Sequence, residues 1–161
     1  MGMVNWKNGG WLAVGVGLTM SAMIAWAAEE QPVVPETLAG VEVVGSEQVL
    51  KLMESGGGLI LDARKPDEFK AGTIPGAVNC QVSSGKPDLG DGEIDATVAL
   101  FSKCEGLASA DKNKPVALFC NGVQCWRSAK GSLAMKKMGY QKIMWYRMGG
   151  NDWKAKGLPM E

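Results

Sequence analysis

Val116-Ala117-Leu118-Phe119-Cys120-Asn121-Gly122-Val123-Gln124-Cys125-Trp126-Arg127-Ser128 is the stretch on which the reading of this chain turns. Four consecutive apolar residues after Pro115 read as a strand buried on both faces, the kind found inside parallel sheets. The chain leaves that strand on a cysteine and passes through a short glycine-containing loop. It then enters a segment of helical character, Ser128 to Met138, with Gly139 as its C-terminal cap. In open α/β sheets ligands gather at the carboxyl ends of strands. A helix starting there presents unpaired N–H groups and the positive end of its dipole. A loop curled over Cys120 adds more N–H groups and forms an anion-binding nest. A free thiol has a pKa of about 8.5, and such surroundings lower it. Cys120 is therefore read as a thiolate nucleophile. Asn121, Gly122, Val123, Gln124, Trp126 and Arg127 are read as the cradle of its substrate, with Arg127 supplying fixed positive charge at the helix start. The plainer alternative is a buried structural cysteine at a strand end.

Working outward, strands and helices alternate. Val41–Val44 reads as a short strand. Ser46 can cap a helix reaching Ser55, with Val49, Leu50 and Met53 on one face, and Gly56-Gly57-Gly58 ends it. Leu59-Ile60-Leu61 is a second buried strand, stopped by Asp62. A short helix follows Pro66, Ile74-Pro75-Gly76 is a turn, and Ala77–Cys80 is a short strand. Residues 83–92 read as a surface loop, Ile94 to Leu107 as a helix, Ile143–Tyr146 as a strand, and Asn151–Lys156 as a last helical turn or two. This order predicts an α/β fold: one domain with a parallel central sheet and helices on both faces. At 161 residues there is room for one such domain, placed at 41–161, with residues 28–40 as a flexible leader carrying Pro32 and Pro35.

Composition narrows the chemistry. Seventeen basic residues balance seventeen acidic ones, so no charged stripe points to a nucleic-acid partner. There is no histidine, which removes Ser-His-Asp and Cys-His catalysis and ordinary His-containing zinc and copper sites. No metal or organic cofactor is expected. Met135, Met138, Met144 and Met148 read as core filler, because no Cys or His accompanies them at ligand spacing.

The N-terminus reads as an address. Lys7 precedes an apolar run from Trp11 to Ile24, and Ala25-Trp26-Ala27 supplies a small-x-small cleavage site. Residues 1–27 are expected to be a secretory signal and the mature protein to be exported, as in a periplasm. The alternative is an uncleaved membrane anchor, although the apolar span is marginal for about 30 Å of hydrocarbon. The four cysteines, Cys80, Cys104, Cys120 and Cys125, all lie beyond that site, where disulfides are permitted. They allow three complete pairings, among which the sequence does not choose.

The chain resembles the rhodanese family of sulfurtransferases. The resemblance rests on Asp62-Ala63-Arg64, Glu68-Phe69 and Gly72-Thr73-Ile74-Pro75-Gly76-Ala77-Val78-Asn79. It continues with the strand ending in Cys120 and its Gly122 and Arg127-Ser128, then with Gly139-Tyr140, Trp145-Tyr146, Gly149-Gly150, Trp153 and Gly157-Leu158-Pro159. It implies that Cys120 accepts a sulfane sulfur as a persulfide from a small anionic donor such as thiosulfate. The sulfur then passes to a thiol, cyanide or protein-cysteine acceptor. Two departures stand out. Thr73 occupies a usual histidine position, and Arg127 lies seven residues after Cys120 where the family's arginine lies five after; Cys125 takes that fifth place.

Cys125 carries two readings. It resolves intermediates on Cys120 as a reversible disulfide, or it serves structure, bridged or unpaired. Asp62 and Arg64 lie either at the site's rim or, as favoured, in a structural ion pair. Cys80 and Cys104 read as packing residues. Trp126 either covers the pocket or seats the loop, and Trp145, Tyr146 and Trp153 read as core. Two rivals to sulfur transfer remain: a rhodanese-fold binding or thiol-redox partner module, and, ranked lower, a cysteine phosphatase, whose Cys-x5-Arg spacing this loop exceeds. The sequence does not settle the oligomeric state.

Overall fold

The computed structural model describes residues 32–161. In chain order its elements are β1 (Glu42–Val43), α1 (Ser46–Ser55), β2 (Leu59–Asp62), α2 (Pro66–Lys70), β3 (Val78–Asn79) and α3 (Asp91–Phe101). These are followed by α4 (Glu105–Ala108), β4 (Pro115–Phe119), α5 (Arg127–Lys137), β5 (Lys142–Tyr146) and α6 (Gly149–Ala155). The five strands form one sheet in the order β1-β5-β4-β2-β3, and every pairing is parallel. The expected α/β domain is thus present.

The central strand β4 is apolar throughout because both of its faces are covered. Along β4, Val116 and Leu118 join one cluster with Ile94 and Phe101 of α3 and Ala134 and Met135 of α5. Ala117 and Phe119 point the other way, into a cluster with Val49 and Leu52 of α1 and Trp153 of α6. This alternation follows from the two-residue period of a strand. Trp145, Tyr146 and Trp153 are fully buried, as expected of core aromatics. Gly131 lets α5 lie close: a Cβ there would fall 2.8 Å from Leu118 Cδ2 and 3.1 Å from Phe101.

Several details differ from expectation. Gly45, not Ser46, caps α1: its N–H donates to Gln48 Oε1 at 3.1 Å, and the Ser46 hydroxyl instead accepts from Lys156 Nζ. The helix expected from Ile94 to Leu107 breaks after Phe101, and the turn brings Cys104 against the end of β3. There it forms a disulfide with Cys80, Cα to Cα 5.8 Å, so these two residues are a cross-link rather than simple packing. Helix α6 starts two residues before the expected Asn151.

The leader also differs over residues 32–40. Val34 and Leu38 are buried against Ala129 and Trp145. Arg147 donates from Nε to the Pro35 carbonyl and from Nη2 to that of Val34. Apolar residues among the prolines give the segment something to bury, so it straps onto the domain. The expected signal segment lies outside the described residues. Among the described residues, no helix is long and apolar enough to cross a membrane.

Candidate active site

Cys120 stands immediately after β4, in the middle of the sheet, and is 1% exposed. Its carbonyl accepts from Gly150 N–H at 2.7 Å, and the Asn121 carbonyl accepts from Asn151 N–H at 2.9 Å. The start of α6 is thereby stitched to the start of the loop. Gly149 makes this possible, because a Cβ there would collide with the Cys120 carbonyl, and its φ of 65° suits glycine. The loop then makes one tight turn, Cys125 N–H to the Gly122 carbonyl at 2.9 Å. Among the described residues, the amides of Gly122, Val123 and Gln124 have no backbone acceptor, and these three residues line an open cleft.

That cleft has a volume of about 610 Å³. Of the residues expected around the substrate, Asn121, Gly122, Val123, Gln124 and Arg127 all line it, and so does Cys125. Trp126 does not. Its ring belongs to the cluster of Val34, Leu38 and Trp145, and its Nε1 donates to the Pro32 carbonyl at 3.1 Å. The ring seats the loop on the strap because, once residues 32–38 are packed, the indole has both an apolar bed and an acceptor there.

Cys120 and Cys125 are joined in a disulfide, Cα to Cα 6.1 Å. Arg127 lies beside it, with Nη1 4.0 Å from Cys125 Sγ. Its Nε is buried and is, among the described residues, the one such side-chain atom with no hydrogen-bond partner. On the other side Gly85 lies against the guanidinium, where a Cβ would fall 3.2 Å from Nη1. The Gly85 wall is held by Lys130, one turn further along α5 and wholly buried, whose ammonium donates to Ser84 Oγ and to Glu93 Oε2. The opposite wall is Met148, Asn151 and Asp152. Met148, expected in the core, is 48% exposed, because it sits where the chain turns from β5 into α6.

Glu68 is a site residue that the sequence reading placed only in the fold signature. Its Oε1 accepts from Asn121 Nδ2 at 2.7 Å and its Oε2 from Lys65 N–H. Burial pushes its carboxyl upward. The Asn121 and Lys65 hydrogen bonds and the charges of Arg127 and Arg64 outweigh that and hold it below the usual range. Gly85, Asn151 and Asp152 carry no local sequence signal, since they reach the cleft only through the fold.

Asp62 and Arg64 are away from the cleft lining. The Asp62 carboxylate takes Arg64 Nε and Nη2 and the Arg64 amide, plus Thr73 Oγ1 at 2.9 Å. Arg64 also donates to the Gly72 carbonyl, and its guanidinium lies over the Phe119 ring. This is the favoured structural pair, and Thr73 serves it. Among the described residues, no three of Cys, Asp and Glu gather closely enough to hold a metal ion.

The Rhodanese-like domain family pattern matches residues 46–156. Over 101 residues the chain is 33% identical to the tRNA uridine(34) hydroxylase of Pelagibacter ubique, covering 62% of this chain and 27% of that protein. The chain thus spans about a quarter of this relative's length. Among solved structures, it superposes on the human single-domain sulfurtransferase with a TM-score of 0.52 and 22% identity, covering 72% of this chain and 97% of that one. The thiosulfate sulfurtransferase of Pseudomonas aeruginosa aligns with a TM-score of 0.54 and 23% identity, over 75% of this chain and 20% of that one.

Proposed function

The chain belongs to the rhodanese-like domain family, and from that premise we propose that it is a sulfurtransferase working through a persulfide on Cys120. The reduced Cys120 thiolate attacks the sulfane sulfur of an anionic donor such as thiosulfate. The donor's S–S bond breaks, sulfite leaves with the bonding pair, and Cys120 carries the sulfur. The observation that carries this reading is the placement of Cys120 at the end of the central strand, followed by a loop whose residues line a cleft beside Arg127. Amides and a guanidinium held in place stabilise the charge that develops on the leaving sulfite. The Cys120–Cys125 bridge is the resting oxidised form, so a thiol must open it before the donor can react.

Both disulfides suit an oxidising compartment, which agrees with export by the Trp11–Ile24 and Ala25-Trp26-Ala27 segment. The hydroxylase name of the Pelagibacter relative belongs to a protein of which this chain spans about a quarter.

The test is an intact mass of the reduced protein before and after thiosulfate, with the modified peptide mapped. One added sulfur atom on Cys120, or stoichiometric sulfite release, is expected. Absence of both would remove the reading.

A further inference from the structure

The loop departs from the family's spacing in two linked ways: a second cysteine stands five residues after Cys120, and the arginine is displaced two residues further. In the fold these departures converge. Cys125 Sγ is bonded to Cys120 Sγ, and Arg127 Nη1 lies 4.0 Å from Cys125 Sγ. The exposures are unequal: Cys120 is 1% exposed, whereas Cys125 is partly exposed and lines the cleft.

Resting on the sulfur-transfer reading, we propose that Cys125 turns the Cys120 persulfide over within the same chain, releasing the sulfur as sulfide, and that a dithiol reductant then reopens the bridge at Cys125. In the first step the Cys125 thiolate attacks Cys120 Sγ. The bond between Cys120 Sγ and the outer sulfur breaks, hydrosulfide leaves with the bonding pair, and the Cys120–Cys125 disulfide forms. The sulfane sulfur gains two electrons and the two cysteines lose two, so the step needs no outside oxidant or reductant. Attack on the outer sulfur would only move the persulfide to Cys125. Attack on Cys120 Sγ yields the bond seen in the structure.

Reach and ionisation govern such exchange. Reach is shown by the bond itself. The neighbouring guanidinium favours the thiolate of Cys125, since cations beside a thiol lower its pKa. In the second step one thiolate of the dithiol attacks Cys125 Sγ, the sulfur on the cleft. Cys120 thiolate leaves, into the loop whose amides favour it as a leaving group. The second thiol of the reductant then displaces Cys125, giving the oxidised dithiol and the open site. The net conversion is thiosulfate plus dithiol to sulfite, sulfide and a disulfide. The partner is accordingly a dithiol, not a terminal sulfur acceptor.

The experiment is a single turnover. The full protein is reduced, freed of reductant without air, and given one equivalent of thiosulfate. One sulfite and one sulfide per chain are expected, together with a Cys120–Cys125 bridge in the peptide map. Cys125→Ser is expected to release sulfide at least tenfold more slowly, with one extra sulfur retained on Cys120. Sulfite without sulfide in the parent, with a lasting persulfide, would overturn this inference and leave sulfur transfer standing. No sulfite would overturn sulfur transfer itself, and the inference with it. Should the variant fail to fold, the parent's stoichiometry and map decide alone. For the second step, brief treatment of the oxidised protein with 2-mercaptoethanol, quenched in acid, should leave the mixed disulfide on Cys125; finding it on Cys120 would reverse the direction of attack proposed here.

Discussion

Cys80 and Cys120 follow β3 and β4, the two strands that flank β2, so both disulfides stand at the same end of one sheet. Their surroundings separate them. The Cys80–Cys104 bridge spans 24 residues and ties the end of β3 to the break between α3 and α4, with Cys80 in the main core cluster. The Cys120–Cys125 bridge spans five residues, and a cleft and a guanidinium adjoin its outer sulfur. In the chain-entropy account, links of those lengths restrict the unfolded chain by roughly 3.5 and 2 kcal/mol respectively. The longer link therefore contributes more to stability; its Cys104 is also partly exposed on a cleft, but Lys103 and Glu105 line that cleft and no arginine does. The shorter contributes less, and its Cys125 sulfur, on a cleft beside Arg127, is the one the proposed mechanism exposes to an attacking thiol. Cross-link and reactive pair differ here by environment, not by residue type.

Substitution at each bridge gives the sharpest division. Cys120→Ser should lower sulfur transfer at least about a thousandfold, since the nucleophile is gone, while stability falls by no more than the roughly 2 kcal/mol of the five-residue link. The Cys80→Ser/Cys104→Ser double variant should lose about 2–4 kcal/mol of stability, yet load sulfur normally per folded molecule. Urea titration and sulfite release, measured on the same samples, check both. A double variant that folds well and loads nothing would erase the distinction.

Arg64 allows the same comparison just past the end of β2. The Asp62 carboxylate is wholly buried and most of its partners come from Arg64. Arg64→Ala should cost about 3–5 kcal/mol, because it strands a buried charge. The Cys125 side of the loop should be spared, so that folded protein at low temperature still forms the Cys120–Cys125 bridge, as read by peptide mapping.

The smallest effect is expected at Glu68, which joins the loop through Asn121 and the start of α2 through the Lys65 amide. Its carboxyl is held low in the fold. Ionisation therefore favours the folded state above the ordinary value of 4.5, and this contribution fades as pH falls through the lower folded value. Glu68→Gln should flatten the fall of the urea midpoint between about pH 5 and about pH 3. Equal pH slopes in parent and variant would show that the hydrogen bonds of Asn121 and Lys65 and the charges of Arg127 and Arg64 do not hold the Glu68 carboxyl low.

The sequence carried the scaffold well wherever local rules decide. The 46–55 helix and the 115–119 strand appear where expected, since apolar pattern and glycine stops act within a few residues. The cleft-lining loop was legible too, because a strand end followed by a helix start places it. What depended on distant partners was hidden. The Cys80–Cys104 pairing needed the break after Phe101, which the helical spacing of 94–107 masks. Trp126 turned to the strap only because Val34 and Leu38 found a place in the core, against the expectation set by Pro32 and Pro35. Met148 reached the cleft through the turn before α6, where no periodicity operates.

The 24-residue link has a topological consequence for the cleft. Gly85, which lies against Arg127, and Glu93, which holds Lys130, both fall between Cys80 and Cys104. One wall of the cleft is therefore a covalently closed ring hung from the sheet. It cannot be drawn out straight, and a single cut of its backbone leaves both pieces joined.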